Sequence, residues 1–241
     1  MNPRPFIYLP LRLKMDFKNE IKLFVDTYIN RIAPVFASKE EETEKITEEY
    51  INEISGSFNP EYHDPADFQE RAREYGYKYF DNLSLMQYNT RLMNIASLYQ
   101  YWEQQIRRFT YYELTRQHKL ENSKGRQIEF KTFCNSFKQI ESLLVQCGVN
   151  INDLDSWEKI NELRLLQNVI KHGDGVSSSD LEVLRPEFFR KSGDTMFKDL
   201  YLTVLNDQVL EIEDNEIVEY GEALQLFWDE LPEHMYLDVN P

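Results

Sequence analysis

The sequence is poor in cysteine, histidine and glycine, and it has no long apolar run. Its 241 residues include two cysteines, four histidines and eight glycines. No window approaches the ~18 consecutive apolar residues of a membrane-spanning helix, so we expect no membrane association. The only apolar patch near the start lies between Pro5 and Pro10 and is much shorter than the apolar stretch of a signal peptide. These absences predict a cytoplasmic protein.

The few sulfur and imidazole groups do not form a recognisable metal site. The histidines are scattered along the chain, without metal-ligand spacing: His63, His118, His172 and His234. Cys134 and Cys147 lie in a segment that we predict to be one helix, where about 20 Å of axial rise would separate them. That distance is too long for a disulfide. We therefore expect two reduced thiols and no metal or other cofactor.

The net charge is strongly negative but unevenly distributed. The chain carries 42 acidic and 27 basic side chains, a formal charge of −15, with 41% apolar and 14% aromatic residues that allow a substantial core. Residues 194–241 hold 13 acidic side chains against one basic, and residues 16–74 hold 15 against 7. Residues 103–138 are locally basic, with 8 basic and 4 acidic side chains. The total charge argues against bulk nucleic-acid binding, whereas the basic segment still allows a local RNA contact.

Apolar residues recur at helical spacing through most of the chain. The pattern predicts helices over 16–36, 39–54, 66–80, 85–117, 127–147, 155–172 and 217–231. Ser84 with Gln87, and Asp155 with Glu158, have the spacing of capping boxes that begin two of these helices. Residues 56–67 predict a loop, and residues 176–180 a loop or helix cap. Two apolar runs, 200–205 and 208–212, flank Asn206 and Asp207 and predict a β-hairpin.

These elements predict a mainly α protein, a helical bundle with a small C-terminal β-hairpin followed by a terminal helix. We divide the chain into an N-terminal helical segment (1–60), a helical core (61–175) and a C-terminal hairpin and amphipathic helix (176–241), packed as one globular unit. No Gly-rich phosphate loop, nucleophile elbow or zinc-protease motif occurs in the sequence.

Glu103 lies within an apolar stripe of the helix predicted over 85–117. At 100° per residue, the apolar side chains around it fall within about 80° of each other: Leu85, Tyr88, Leu92, Ala96, Tyr99 and Ile106. A carboxylate there needs a cation or acquires a raised pKa, because unpaired burial is costly. Two interpretations stay open: Glu103 belongs to a site, or it makes a structural pair or emerges to solvent.

The helix predicted over 155–172 separates an apolar face from a polar one. Leucine, valine and isoleucine side chains from 163 to 170 occupy an arc of about 160°. Arg164, Asn168 and His172 follow one another at intervals of four on the opposite side, with Asn161 beside them. Arginine forks onto phosphates and histidine transfers protons near neutral pH, so this face suits phosphodiester chemistry. An ordinary solvated face, with His172 stabilising the helix end, is the alternative.

At these residues the sequence resembles a family. The run from Glu162 to Gly173 (ELRLLQNVIKHG) is similar to the signature of HEPN domains, all-helical bundles in which an Arg-polar-x-x-x-His motif ends a core helix. The run Leu98–Ile106 (LYQYWEQQI) resembles the early core helix of the family, where a polar or acidic residue often faces the motif, and Glu103 matches that position. The resemblance covers residues 82–175.

The resemblance implies a metal-independent endoribonuclease that acts as a homodimer, with the motif faces of two subunits meeting across a cleft. His172 would assist attack of the ribose 2′-hydroxyl, Arg164 would stabilise the developing charge, Asn168 would orient its neighbours, and Glu103 would support them. Many such proteins serve in bacterial antiviral defence or toxin systems, paired with an antitoxin or sensor protein. We expect Glu103 to contact Arg164 or His172.

One departure from the family supports a second hypothesis. Family ribonucleases carry an arginine directly before the polar residue, and Gln167 holds that position here. Arg164 lies one turn earlier on the helix. It either takes the spatial place of the family arginine or is unrelated to that arginine. The alternative function is therefore a non-catalytic HEPN-like dimerisation module that binds a partner protein. A plain helical bundle unrelated to the family is the third possibility.

Overall fold

The computed structural model describes residues 6–117, 119–121, 124–173, 175–193, 195–199 and 204–237. The helices are α1 (Leu11–Thr27), α2 (Lys39–Ser55), α3 (Pro65–Gln117), α4 (Phe137–Gln146), α5 (Trp157–His172), α6 (Val176–Leu184) and α7 (Asp214–Glu230). A π-helical turn (Tyr28–Ile32) and a 3-10 turn (Ala33–Phe36) continue α1. The strands are β1 (Phe6–Tyr8), β2 (Lys191–Ser192), β3 (Thr195–Met196) and β4 (His234–Tyr236).

The mainly α bundle with a small hairpin before the terminal helix is confirmed. β2 and β3 form the hairpin, and β1 pairs antiparallel with β4, with Ile7 opposite Met235. In the hairpin predicted around Asn206 and Asp207, residues 200–203 lie outside the described residues. Residues 204–207 form bends, and Leu210 pairs with Phe189 in an isolated bridge.

Helices α1, α3, α5 and α7 enclose the core. Its largest fully buried side chains come from these helices and the turn after α1: Tyr28, Trp102, Tyr220, Phe227 and Trp228. Trp102 and Phe227 join α3 to α7, with ring centroids 5.0 Å apart in an edge-to-face arrangement. Gly221 allows α1 to approach α7 closely, because a Cβ there would lie 2.5 Å from Cγ2 of Val25.

Helix α3 corrects the prediction of two helices over 66–80 and 85–117. It runs without a break for 53 residues, about 80 Å at 1.5 Å per residue. Ser84 and Gln87 therefore do not cap a helix. They lie on one face of α3 and accept hydrogen bonds from Nζ of Lys39, at 3.3 and 3.0 Å. The start is close to the prediction, since Pro65 is the first residue and Asp64 accepts from the amide of Ala66 at 2.8 Å.

Helix α2 packs mainly against the N-terminal half of α3, and the two form an arm that carries little core. No residue of α2 is buried. Gly76 lies under Thr47, where a Cβ would meet Oγ1 at 2.2 Å. Tyr50 stacks on Tyr75 with ring centroids 4.4 Å apart. The arm is thus held by close backbone packing and aromatic stacking at its surface.

The single helix predicted over 127–147 is wrong. A 3-10 turn (Phe130–Thr132) precedes α4, and a capping box formed by Ser136 and Gln139 begins α4. Arg107 of α3 binds the preceding loop, donating to the carbonyls of Phe130 (2.5 Å) and Phe133 (2.6 Å). These bonds use backbone carbonyls that a longer helix would need.

The capping box predicted from Asp155 and Glu158 is also wrong. Ser156 is the N-cap of α5, and Glu230 at the end of α7 accepts hydrogen bonds from the amides of Asp155 (2.6 Å) and Ser156 (3.2 Å). A carboxylate distant in sequence therefore satisfies the donors at this helix start, where negative charge is favoured. The predicted end of α5 is confirmed, since Gly173 has φ 70°.

Candidate functional site

The face of α5 predicted to be polar is the accessible one. Leu163, Leu166 and Val169 are at most 1% exposed, whereas Arg164 and Asn168 are half-buried and His172 is exposed. Arg164 donates to Oδ1 of Asn161 from Nε (3.1 Å) and Nη2 (2.7 Å), one turn apart on α5. This bond orients the guanidinium along the helix surface. His172 is the last residue of α5, where a cation complements the negative end of the helix dipole.

Glu103 is half-buried on α3 and has an unusual environment for a carboxylate. Burial raises the pKa of Glu103, and the positive charges of Lys171 and Arg107 and a hydrogen bond from Tyr99 offset only part of that shift. Tyr99 is 2% exposed. Burial and the charge of Glu103 raise the pKa of the Tyr99 phenol, while Arg164 opposes the shift. The carboxylate is therefore held at the protein surface with less ionic compensation than a normal ion pair provides.

Helices α3 and α5 pack against each other, and electrostatic couplings run between them. The charge of Arg164, near the middle of α5, acts to lower the pKa of Tyr99. Glu103 lies one turn after Tyr99 on α3, and the charge of Lys171, near the end of α5, acts to lower its pKa. The groups that act on Glu103 are Lys171, Arg107 and Tyr99. The contact with Arg164 or His172 expected from the sequence is not among the ion pairs or hydrogen bonds of the described residues. Among the cations, Lys171 lowers the pKa of Glu103 the most. It directly precedes His172, and the sequence patterns did not single it out.

Gln167, the residue that departs from the family motif, points away from this surface. Its side chain is 6% exposed. Nε2 donates to Oδ1 of Asn168 at 2.6 Å, while Oε1 is buried and has no hydrogen-bond partner among the described residues. At 100° per residue, Gln167 lies 100° from Asn168 around the helix and Arg164 only 40° from it. Arg164 is thus the arginine available on the accessible face.

A buried charge network was missed by sequence reasoning. Glu162 accepts hydrogen bonds from Arg185 (2.5 Å) and Tyr220 (2.7 Å) and pairs with Lys159 at 3.1 Å. Lys159 and Arg185 also contact Glu216, at 2.9 and 2.7 Å. The i, i+3 spacing of Lys159 and Glu162 was the only local signal, because the other partners lie on α7 and after α6. The network joins α5 to α7 and stabilises the helix that carries the candidate site.

The two cysteines do not provide a nucleophile. Cys134 lies in the loop before α4 and Cys147 is the C-cap residue of α4, so they do not share one helix as expected; both are free, as predicted. Burial raises the pKa of the Cys134 thiol to about 11 and that of Cys147 to about 12. Such thiols are protonated and unreactive near neutral pH. In the described part of the chain, no three His, Cys, Asp or Glu side chains cluster as metal ligands would.

Comparisons with known proteins give no further assignment. The chain matches no protein-family model, no curated protein and no solved structure. Among the described residues, no helix combines the length and the apolar character that crossing a membrane requires.

Proposed function

We propose that this protein is a HEPN-like, metal-independent endoribonuclease whose site is formed by Arg164, Asn168 and His172 of α5 with Glu103 of α3. The observation that carries the proposal is that Arg164, Asn168 and His172 lie on the accessible face of α5. Helix α3, which packs against α5, carries the half-buried Glu103. The exposed imidazole, the surface guanidinium and the carboxylate are the groups that RNA transesterification requires.

In the proposed reaction, the His172 imidazole takes the proton of the ribose 2′-hydroxyl. The 2′-oxygen then bonds to the adjacent phosphorus and the bond from phosphorus to the 5′-oxygen breaks. The 5′-oxygen takes a proton from water and leaves as a hydroxyl, and His172 returns its proton to the resulting hydroxide. The products are a 2′,3′-cyclic phosphate and a 5′-hydroxyl, with no metal ion and no redox step. Arg164 stabilises the negative charge that develops on the phosphate oxygens. Asn168, whose Oδ1 is occupied by Gln167, offers its amide N–H groups to the substrate.

A homodimer would complete this site, because the motif face lies on an accessible surface. Toxicity of the active enzyme to a bacterial host, as in a defence or toxin system, follows from the same proposal. An antitoxin or sensor protein would then control it. The local positive charge of residues 103–138 supports an RNA substrate despite the acidic chain.

The test incubates the purified protein with mixed RNA in the presence of EDTA and analyses the product ends. We expect wild-type cleavage with 2′,3′-cyclic phosphate ends, and its loss in His172→Ala and in Arg164→Ala. His63→Ala, which removes an exposed imidazole on the arm, is the matched control and should cleave like the wild type. Equal products from wild type and His172→Ala would contradict the proposal.

A second candidate function is a non-catalytic HEPN-like dimerisation module that binds a partner protein, and the buried Gln167 favours it. The position where family ribonucleases carry arginine holds a neutral amide with an unpartnered oxygen. This alternative expects a wild-type dimer in sedimentation velocity that leaves RNA intact. Arg164→Glu would shift such a dimer to monomer, whereas Arg73→Glu on the arm would not.

A further inference from the structure

A pocket of about 380 Å³ lies between α1 and α3, away from the candidate ribonuclease site. α1 contributes Leu13, Phe17 and Glu20, which share one face at intervals of four and three. α3 contributes a matching stripe: Tyr101, Gln104, Gln105, Arg108, Phe109, Tyr112 and Glu113. Gln105 points about 200° around α3 from Glu103, so the pocket and the candidate site lie on opposite faces of α3.

The floor of the pocket is aromatic and fixed by the core. Phe109 is 6% exposed and packs edge-to-face on Phe17, with centroids 5.8 Å apart. Phe17 lies against Trp228 of α7 at 4.3 Å. Tyr112, on the rim, is 59% exposed. An apolar side chain of a ligand would therefore bury its surface against rings that are already ordered.

The rim carries one carboxylate and one guanidinium that are not paired. Glu20 accepts hydrogen bonds on Oε2 from the Tyr101 hydroxyl and from Nε2 of Gln105, both at 2.8 Å. Both donors are neutral, and no cation lies within 4 Å of Glu20 among the described residues. Arg108 is exposed and makes no hydrogen bond or ion pair within the described part of the chain. By contrast, Glu113 is satisfied by the Tyr8 amide (3.2 Å) and Arg116 (2.8 Å).

Gln105 adds an unused acceptor beside the unpaired carboxylate. It is 7% exposed, and its Oε1 is buried without a hydrogen-bond partner among the described residues. Because Nε2 of the same amide binds Glu20, the free carbonyl oxygen lies close to a negative charge. An ammonium group has three donors and no acceptor, so it suits the Glu20 carboxylate, whose two present donors are neutral. An anion without an ammonium group would be repelled by Glu20, because Arg108 is the single cation among the residues that line the pocket.

We propose that this pocket binds a free α-amino acid with a large apolar or aromatic side chain. Its ammonium group contacts Glu20, its carboxylate is held by the guanidinium fork of Arg108, and its side chain packs on Phe17 and Phe109. The volume lies within the range of small-molecule sites. The inference goes beyond the proposed ribonuclease function and does not depend on it.

The test measures binding by isothermal titration calorimetry with the full-length protein. L-Phenylalanine and L-leucine are the probes, and two analogues of phenylalanine each lack one charge: phenethylamine has no carboxylate and 3-phenylpropionate has no ammonium group. We expect the amino acids to bind about tenfold or more tightly than either analogue, since each charged hydrogen-bonded contact contributes at least that factor.

Two rim variants then assign each charge. Arg108→Gln should weaken phenylalanine about tenfold or more and leave phenethylamine unchanged, while Glu20→Gln should weaken phenylalanine and leave 3-phenylpropionate unchanged. Arg31→Gln, an exposed arginine outside the lining, is the matched control. Circular dichroism confirms that each variant is folded.

The proposal is overturned if phenylalanine and leucine give no binding heat and no thermal stabilisation at millimolar concentration. It is also overturned if the analogues bind as tightly as the amino acids, or if Arg108→Gln binds phenylalanine like the wild type. Because the readout is binding rather than RNA cleavage, its failure would leave the ribonuclease proposal untouched.

Discussion

Nε2 of Gln167 donates a 2.6 Å hydrogen bond to Oδ1 of Asn168, the next residue in the chain. The bond connects a buried side chain to a half-buried one on the accessible face of α5. It fixes the orientation of the Asn168 amide, so that its N–H groups, rather than its oxygen, are offered outward. The Oε1 atom of Gln167 is buried without a hydrogen-bond partner among the described residues, so no bond offsets the free-energy cost of its burial.

Replacing Gln167 with leucine should therefore stabilise the protein. Gln167→Leu keeps the volume nearly unchanged and removes a buried acceptor, which we expect to raise the free energy of unfolding by about 1 kcal/mol. The measurement is the urea midpoint at constant m-value. Gln146→Leu, at an exposed position on α4, should change it by less than about 0.5 kcal/mol. Destabilisation by Gln167→Leu would contradict this prediction, because the lost hydrogen bond to Asn168 would then outweigh the removal of the unpartnered acceptor.

Glu103→Gln should raise stability at neutral pH by a fraction of a kcal/mol. Burial raises the pKa of Glu103 above its ordinary value of 4.5. The protonated carboxyl is favoured in the folded state, so its contribution is fully present below pH 4.5 and is lost as pH rises through the folded-state pKa. The amide removes this loss and can still accept from Tyr99. Urea unfolding at pH 4 and pH 7 should give a larger gain at pH 7.

The control for this variant is Glu74→Gln, an exposed carboxylate on the same helix. It should alter stability equally little at both pH values. If Glu103→Gln lowers stability at pH 7, the attraction of Lys171 and Arg107 exceeds the cost of burial, and the direction inferred for the pKa is wrong.

The network between α5 and α7 predicts loss of stability in acid. Burial alone would raise the pKa of Glu216, but hydrogen bonds from Arg185 and Lys159 outweigh it and hold the pKa below 4.5. Its contribution is present above pH 4.5 and is lost as pH falls through the lower folded-state pKa. Glu216→Gln should cost about 2–4 kcal/mol at pH 7, because two partly buried cations lose a partner.

The result that tests the role of Glu216 is the slope of the free energy of unfolding against pH. Glu216→Gln should show a smaller loss between pH 5 and pH 3 than the wild type, measured by urea unfolding. Glu222→Gln, exposed on the same helix, should keep the wild-type slope. A wild-type slope in Glu216→Gln would contradict the role given to the network.

Gly221→Ala should destabilise the protein by about 1–3 kcal/mol, although alanine in a helix interior normally stabilises relative to glycine. The new Cβ would lie 2.5 Å from Cγ2 of Val25, a stiff β-branched side chain between α1 and α7. Thermal unfolding provides the measurement. Gly56→Ala is the control, since Gly56 has φ −63° and its nearest foreign atom is 3.5 Å away. Equal effects of both substitutions would contradict the close packing.

Periodicity predicted the main α-helical faces correctly because it reports burial. The apolar stripe around Glu103 and the alternation of leucines with Arg164 and Asn168 are both present in the fold. The errors lie where a distant residue takes over a local role: Lys39 binds Ser84 and Gln87, and Glu230 caps α5 in place of Asp155. Local spacing cannot reveal such partners. For the same reason local spacing did not identify Lys171 as a charge that acts on Glu103.

The unbroken course of α3 gives one helix two very different environments. Between Tyr88 and Leu114 many of its side chains are buried in the bundle, whereas between Pro65 and Phe80 only Ala72 and Gly76 are buried. Backbone amides in the arm can exchange with solvent through local opening, while those in the bundle require the whole domain to unfold. The boundary between cooperative folding units therefore falls inside a single helix, rather than in the loop that precedes it.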